Sequence, residues 1–165
     1  MDWIPRGWGE LQHRVAQWRH EAEDHHQIIA AQTLLRPSVP PPPYYRDLLT
    51  LSAILIGEGR PELAVIVAQM ACEILVEQTL RPRLKGRKAP WNFNVQNKDV
   101  RKLYASLTGD DIEKASFWAH YDAHVVRRHD VVHHGCRVNQ TEAQDSLAAA
   151  TQVVDHVENV RRSLR

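Results

Sequence analysis

Apolar residues recur at helical spacing along almost the whole chain. Trp8, Leu11, Val15, Trp18, Ala22, His25 and Ile29 follow alternating steps of three and four. That spacing predicts an amphipathic helix, lying on its own domain or presenting a seam to a second copy. The stretch PSVPPPPYY interrupts it. Pro40 to Pro43 fix φ and remove amide donors, so they read as an extended polyproline connector, a stiff spacer or a ligand for a proline-reading domain. Residues 1–36 are therefore expected to form an N-terminal helical extension, 37–43 a connector, and 44–165 the main domain.

Within the main domain YYRDLLTLSAILIGEG predicts a helix ending at Gly57 or Gly59, and Pro61 then opens PELAVIVAQMACEILVEQTL as a first-turn proline. This helix is apolar on most sides, as a central element should be. Its exceptions, Gln69, Glu73 and Glu77, form an i, i+4 stripe. RPRLKGRKAPWNFNVQ reads as a loop, and NKDVRKLYASLTG as a short helix closed by Gly109. The next helix is expected to start in a capping box of Asp110 and Glu113 and to stop at Gly135, and the last in a box of Thr141 and Gln144. No segment alternates as a strand would, and the predicted class is all-α.

Composition narrows the functional classes. Twenty-one Lys and Arg against twenty Asp and Glu give a net charge of +1, so any attraction to nucleic acid has to come from a local patch. Cys72 and Cys136 form no CxxC pair and suit a reducing compartment. The N-terminus has no signal-peptide pattern, and no run approaches 18 uninterrupted apolar residues. The expectation is a soluble cytoplasmic domain without a membrane anchor.

The densest chemistry is RRHDVVHHG at 127–135. On an ideal helix, Trp118, Tyr121, Val125 and Val132 share one stripe, predicting the core face. His120, His124, Arg127 and His134 fall on another side, and His129 with His133 on a third. One reading is a polar helix end, with cations near the last carbonyls. A second is metal binding, since His120/His124 and His129/His133 are i, i+4 pairs, although neither pair has a third ligand nearby. The third is acid–base chemistry on a phosphate: arginine offers a planar, permanently charged fork, and histidine exchanges a proton near neutrality. Together they suffice for metal-independent RNA cleavage through the neighbouring 2′-hydroxyl. Arg128 and His133 are, however, about 140° apart on an ideal helix. For them to act on one target, the helix must loosen near Gly135 or a second subunit must complete the site.

The segment Arg128-His129-Asp130-Val131-Val132-His133 resembles the motif of the HEPN superfamily (higher eukaryotes and prokaryotes nucleotide-binding): arginine, then Asn, Asp or His, three variable positions and histidine. Its context is similar too. ELAVIVAQMACEILVEQTL resembles the superfamily's central helix, LYASLTGDDIEKASFWAHYDAHVVRRHDVVHHG the run into the motif, and TEAQDSLAAATQVVDHVE the closing helix. The resemblance spans roughly residues 44–160. It implies a four- or five-helix bundle that dimerises so that two motifs line one cleft. It further implies a metal- and cofactor-independent endoribonuclease of the toxin or defence type, often restrained by a nucleotidyltransferase-like antitoxin or other regulatory partner. Arg128 and His133 would be catalytic, with His129 orienting the phosphate. Arg127 and His134 duplicate the pair one step outward, so Arg127 with His133, or Arg128 with His134, is an alternative register. Other members of the superfamily are non-catalytic interaction or nucleotide-binding modules.

Two further features bear on this reading. Glu73 either faces solvent in its polar stripe or holds Arg128 by a charge-assisted bond. The stretch 81–102 carries Arg81, Arg83, Lys85, Arg87, Lys88, Lys98, Arg101 and Lys102 against Asp99, with Trp91 and Phe93 among them. Cations beside aromatics are what a sequence-tolerant RNA surface requires. The alternative is a solvated loop whose aromatics tuck back onto the bundle.

Overall fold

A computed structural model describes residues 42–164. The expected N-terminal helix, and the connector as far as residue 41, lie outside the described residues. The main domain is all-helical, and no strand occurs among the described residues. Five α-helices follow in order: α1 (Tyr44–Gly57), α2 (Pro61–Leu80), α3 (Lys98–Thr108), α4 (Trp118–His129) and α5 (Gln140–Ser163). Short 3₁₀ turns occupy Arg81–Arg83 and Ile112–Lys114, and a π-helical turn, Asp130–His134, extends α4.

Helix α1 starts directly after Pro43, whose extended backbone cannot continue as helix. Gly59 takes φ +71 between α1 and α2, a conformation open to glycine at little cost, and Pro61 opens α2 where no amide donor is needed. α2 packs against α1, α4 and α5 and is the central helix. Val65, Ala68, Ala71, Cys72, Leu75, Val76 and Leu80 are all buried. Pro61–Arg83 is long and apolar enough to cross a bilayer, but 56% of its most apolar window is buried inside this fold. The main core joins α2 to Tyr45 and Leu48 of α1, Tyr104 of α3, Tyr121 of α4, and Val153, Val154 and Val157 of α5. Phe93 and Val95 anchor the long 84–97 connection into it.

The helix starts depart from the sequence expectation at two places. α5 is capped by Asn139, not Thr141: Asn139 Oδ1 accepts from the Glu142 amide and the Glu142 carboxylate from the Asn139 amide. Val138 and Ala143 are buried in one apolar cluster, so a hydrophobic staple brackets this box and fixes the start two residues earlier. No box forms at Asp110 and Glu113. Asp110 instead pairs with His156 Nε2 on α5 at 2.7 Å, Glu113 pairs with Arg101, and α4 begins only at Trp118.

Replacing Asn139 with Ala should destabilise the fold by about 1 kcal/mol in urea unfolding. Thr141→Ala should stay within about 0.5 kcal/mol of wild type. The reverse order would return the cap to Thr141.

Candidate functional site

The motif straddles a change in helical winding. α4 is regular through His129, and the next five residues follow the i→i+5 pattern of a π-helix. The Gly135 amide, in a left-handed backbone at φ +64, donates to the Asp130 carbonyl, and Cys136 donates to the same oxygen at 3.2 Å. The helix therefore loosens before Gly135. Residues after Asp130 are turned relative to an ideal α-helix. His134, placed on another side by ideal winding, instead joins His129, their ring centroids 5.4 Å apart, while His133 lies 4.5 Å from His129. The same rotation corrects the predicted core stripe: Val132 is 44% exposed, and Val131 packs on the cluster of Leu55, Ile56 and Val65 instead.

His124, one turn before Arg128, is buried rather than on a polar face. Its Nε2 lies 3.1 Å from Gln69 Oε1 on α2. Gln69 Nε2 in turn donates to Glu73 Oε1 at 2.8 Å, which fixes which end of the amide faces the imidazole. Tyr121 Oη completes the cluster at 3.4 Å from Gln69 and from Asn94 Oδ1. Burial, then the adjacent Arg127 and Arg128, push the His124 pKa down to about 4, so the ring is neutral. Burial also keeps the Tyr121 phenol protonated, well above its ordinary range. Of the two alternatives for Glu73, an ion pair with Arg128 is not formed among the described residues, and the Glu73 carboxylate accepts from Gln69 instead. Sequence reading missed this cluster. Its available signal was the Gln69/Glu73 step on the most apolar helix, where an uncompensated polar pair would be costly.

The two arginines differ. Arg127 Nη1 donates to Ser146 Oγ on α5 at 2.7 Å, tying α4 to α5. Arg128 has its Nε buried without a hydrogen-bond partner, while its terminal nitrogens have no intramolecular partner among the described residues. A cavity of about 390 Å³ between α4 and α5 is lined by His120, Ala123, Arg127, Asp145, Ala148 and Gln152. A second, of about 250 Å³, is lined by Val126, Arg127, Asp130, Cys136, Arg137 and Glu142. Neither includes Arg128 or His133. His129, His133 and His134 lie on open surface, with Val126 and Val132 exposed beside them. Among the described residues, no three His, Cys, Asp or Glu side chains are arranged to hold a metal ion.

The basic stretch divides into used and unused cations. Arg81 pairs with Glu77 and stands over the Phe93 ring, Arg83 donates to the Thr79 carbonyl, and Arg101 pairs with Glu113 over the Trp118 ring. These arginines serve the fold first: Arg81 and Arg83 each reach an acceptor four residues back, and Arg101 reaches Glu113 twelve residues on. Lys85, Arg87 and Lys88 are exposed and make no ion pair among the described residues. The aromatics divide as well: Phe93 is buried, and Trp91 is 94% exposed. Trp91, with Pro90 and Asn92, lines both a groove of about 290 Å³ along Glu73, Glu77 and Arg81 and one of about 500 Å³ along Lys88, Asn97 and Asp99.

Comparison with known proteins finds no matching family model, no matching curated protein and no matching solved structure.

Neutral His124 makes stability depend on acid. A histidine whose folded pKa is depressed contributes fully above its ordinary 6.5, and that contribution is lost as pH falls toward about 4. The complete loss amounts to about 3 kcal/mol. Urea unfolding of wild type and His124→Gln across pH 4–7 should show the wild type losing stability more steeply. Parallel curves would mean that His124 is solvated.

Proposed function

We propose that this chain is a HEPN-type, metal-independent endoribonuclease that acts as a homodimer. The observation that carries the reading is the conjunction at the π-turn: an arginine whose terminal nitrogens have no partner among the described residues, followed in sequence by three clustered, accessible imidazoles. Arg128, not Arg127, fits the phosphate-binding role, since Arg127 is occupied by Ser146. The guanidinium of Arg128 receives the non-bridging phosphate oxygens as charge builds on them. His133 removes the 2′-hydroxyl proton as that oxygen attacks phosphorus. A protonated histidine returns a proton to the departing 5′-oxygen. The products are a 2′,3′-cyclic phosphate and a 5′-hydroxyl. His129, whose ring lies beside both His133 and His134, or His134 itself serves as the second proton carrier.

A dimer is supported by the open position of the histidines and by exposed Val126 and Val132 on the same elements. A second chain covering this face would give the motif the water-excluding walls it lacks alone. Trp91 with Lys85, Arg87 and Lys88 forms the part of the basic stretch free to take RNA, one base stacked on the indole and phosphates on the cations. A regulatory partner, such as a nucleotidyltransferase-like antitoxin, would act by covering the same cleft.

Purified protein should cleave RNA in EDTA and leave cyclic-phosphate ends. Arg128→Ala and His133→Ala, each shown to be folded and equally oligomeric, should lose about 100-fold or more in rate. A folded wild type that cleaves none of several RNAs would replace this reading with a non-catalytic interaction module. Trp91→Ala should weaken single-stranded RNA binding by about 1–3 kcal/mol in fluorescence titrations without slowing the bound-state rate. Unchanged affinity would remove the loop from the substrate path.

A further inference from the structure

The buried polar cluster under the motif carries a specific consequence for Arg128. A carboxylate accepts only, so Gln69 must turn its amide nitrogen toward Glu73 and its oxygen toward His124. That oxygen also accepts only, so the proton of the neutral imidazole resides on Nε2. His124 Nδ1 is then a bare acceptor, buried and without a partner. Arg128 lies four residues further along the same regular helix, where long side chains lean back over the preceding turn. Its Nε–H is a donor, equally buried and equally without a partner. Two complementary unsatisfied groups one helical turn apart in a dry setting are a costly arrangement unless they meet, directly or through one bridging water.

We infer that His124 is a positioning residue for Arg128, its Nδ1 lone pair, set by Gln69 and Glu73, receiving the Arg128 Nε–H and aiming the terminal nitrogens outward as a fork. The chain of constraint runs from Glu73 through Gln69 and the His124 tautomer to the guanidinium plane. Its part in catalysis rests on the ribonuclease reading above. The hydrogen-bond arrangement itself does not.

Two substitutions separate the two ends of the imidazole. In His124→Asn the side-chain oxygen is bonded to Cγ, as Nδ1 is, so an acceptor for Arg128 is retained and the contact with Gln69 is lost. In His124→Gln the amide reaches the ε position, so the Gln69 contact is retained and the acceptor for Arg128 is lost. With both variants folded, Gln should lower kcat about 100-fold with little change in KM, the penalty of a misaimed group, while Asn stays within about tenfold of wild type. Equal activities, or losses that track stability instead of the acceptor, would overturn the assignment.

A second readout needs no activity. Long-range 1H–15N spectra of the whole chain should report the Nε2-protonated tautomer at His124. The Arg128 Nε proton should be protected from exchange, with its resonance displaced by His124→Gln more than by His124→Asn. An Nδ1-protonated ring, or an Arg128 Nε proton exchanging at the solvent rate, sinks the proposal even if RNA is cleaved. If no RNA is cleaved but these resonances behave as stated, the arrangement stands and only the ribonuclease reading falls.

Discussion

The widened turn at 130–134 is the constraint on which the geometry around it depends. An i→i+5 step admits one residue more per turn than α winding, so every side chain beyond Asp130 is turned from its ideal-helix direction. Closure needs a left-handed residue, which Gly135 supplies, and an acceptor for the orphaned amides, which the Asp130 carbonyl provides twice. Once the turn is set, Val131 packs inward and Val132 outward, and His134 comes round to His129. The chain then leaves in the direction that buries Val138 and seats Asn139 at the start of α5.

The motif is thereby split between two environments. Arg128 belongs to the regular part of α4, one turn after His124 of the buried Gln69, Tyr121 and His124 cluster, and both His124 Nδ1 and Arg128 Nε are buried without a partner. The histidines belong to the π-turn, where they are exposed and touch chiefly one another. A phosphate-binding group gains from a fixed orientation, because binding then orders fewer rotors. A proton carrier gains from contact with water and a neighbour of its own kind. On the proposed reading, the break in winding lets both occur within six residues.

Much of this fold was legible because its signals are local. Pro61, Gly109 and Gly135 act on their own backbone, and the apolar periodicity of α2 needs no partner to be recognised. The helix starts were harder. Asp110-x-x-Glu113 and Thr141-x-x-Gln144 satisfy the capping pattern as well as Asn139-x-x-Glu142 does. The choice falls to a staple from Val138 and to the pull of His156 on Asp110 across 46 residues. Within the site, Arg128 and His133 are named by the resemblance, while their five-residue spacing requires a loosened helix near Gly135 or a second subunit, and the loosened helix is present. His124 could not be placed, because ideal winding put it on the same side as Arg127, and only the contact with Gln69 from another helix shows it buried. The basic stretch carried the right charge, but sequence could not divide cations used by acceptors on the fold from those left free.

The position of Glu73 follows from the same electrostatics. A carboxylate in contact with Arg128 would hold its guanidinium firmly, but by a charge-assisted bond of the kind that, on the proposed reading, the arginine offers a phosphate. On that reading substrate would have to displace a partner as strong as itself. A neutral imidazole nitrogen fixes the guanidinium plane through Nε and leaves the cation's charge uncompensated toward solvent. Glu73 acts two bonds removed, through the Gln69 amide, where it determines a tautomer instead of neutralising a charge. Burial of His124 is what makes this stable, since an imidazolium there would repel Arg127 and Arg128 and surrender the acceptor. On the proposed reading, the dry cluster exists to keep one ring uncharged, so that the arginine above it stays both oriented and free.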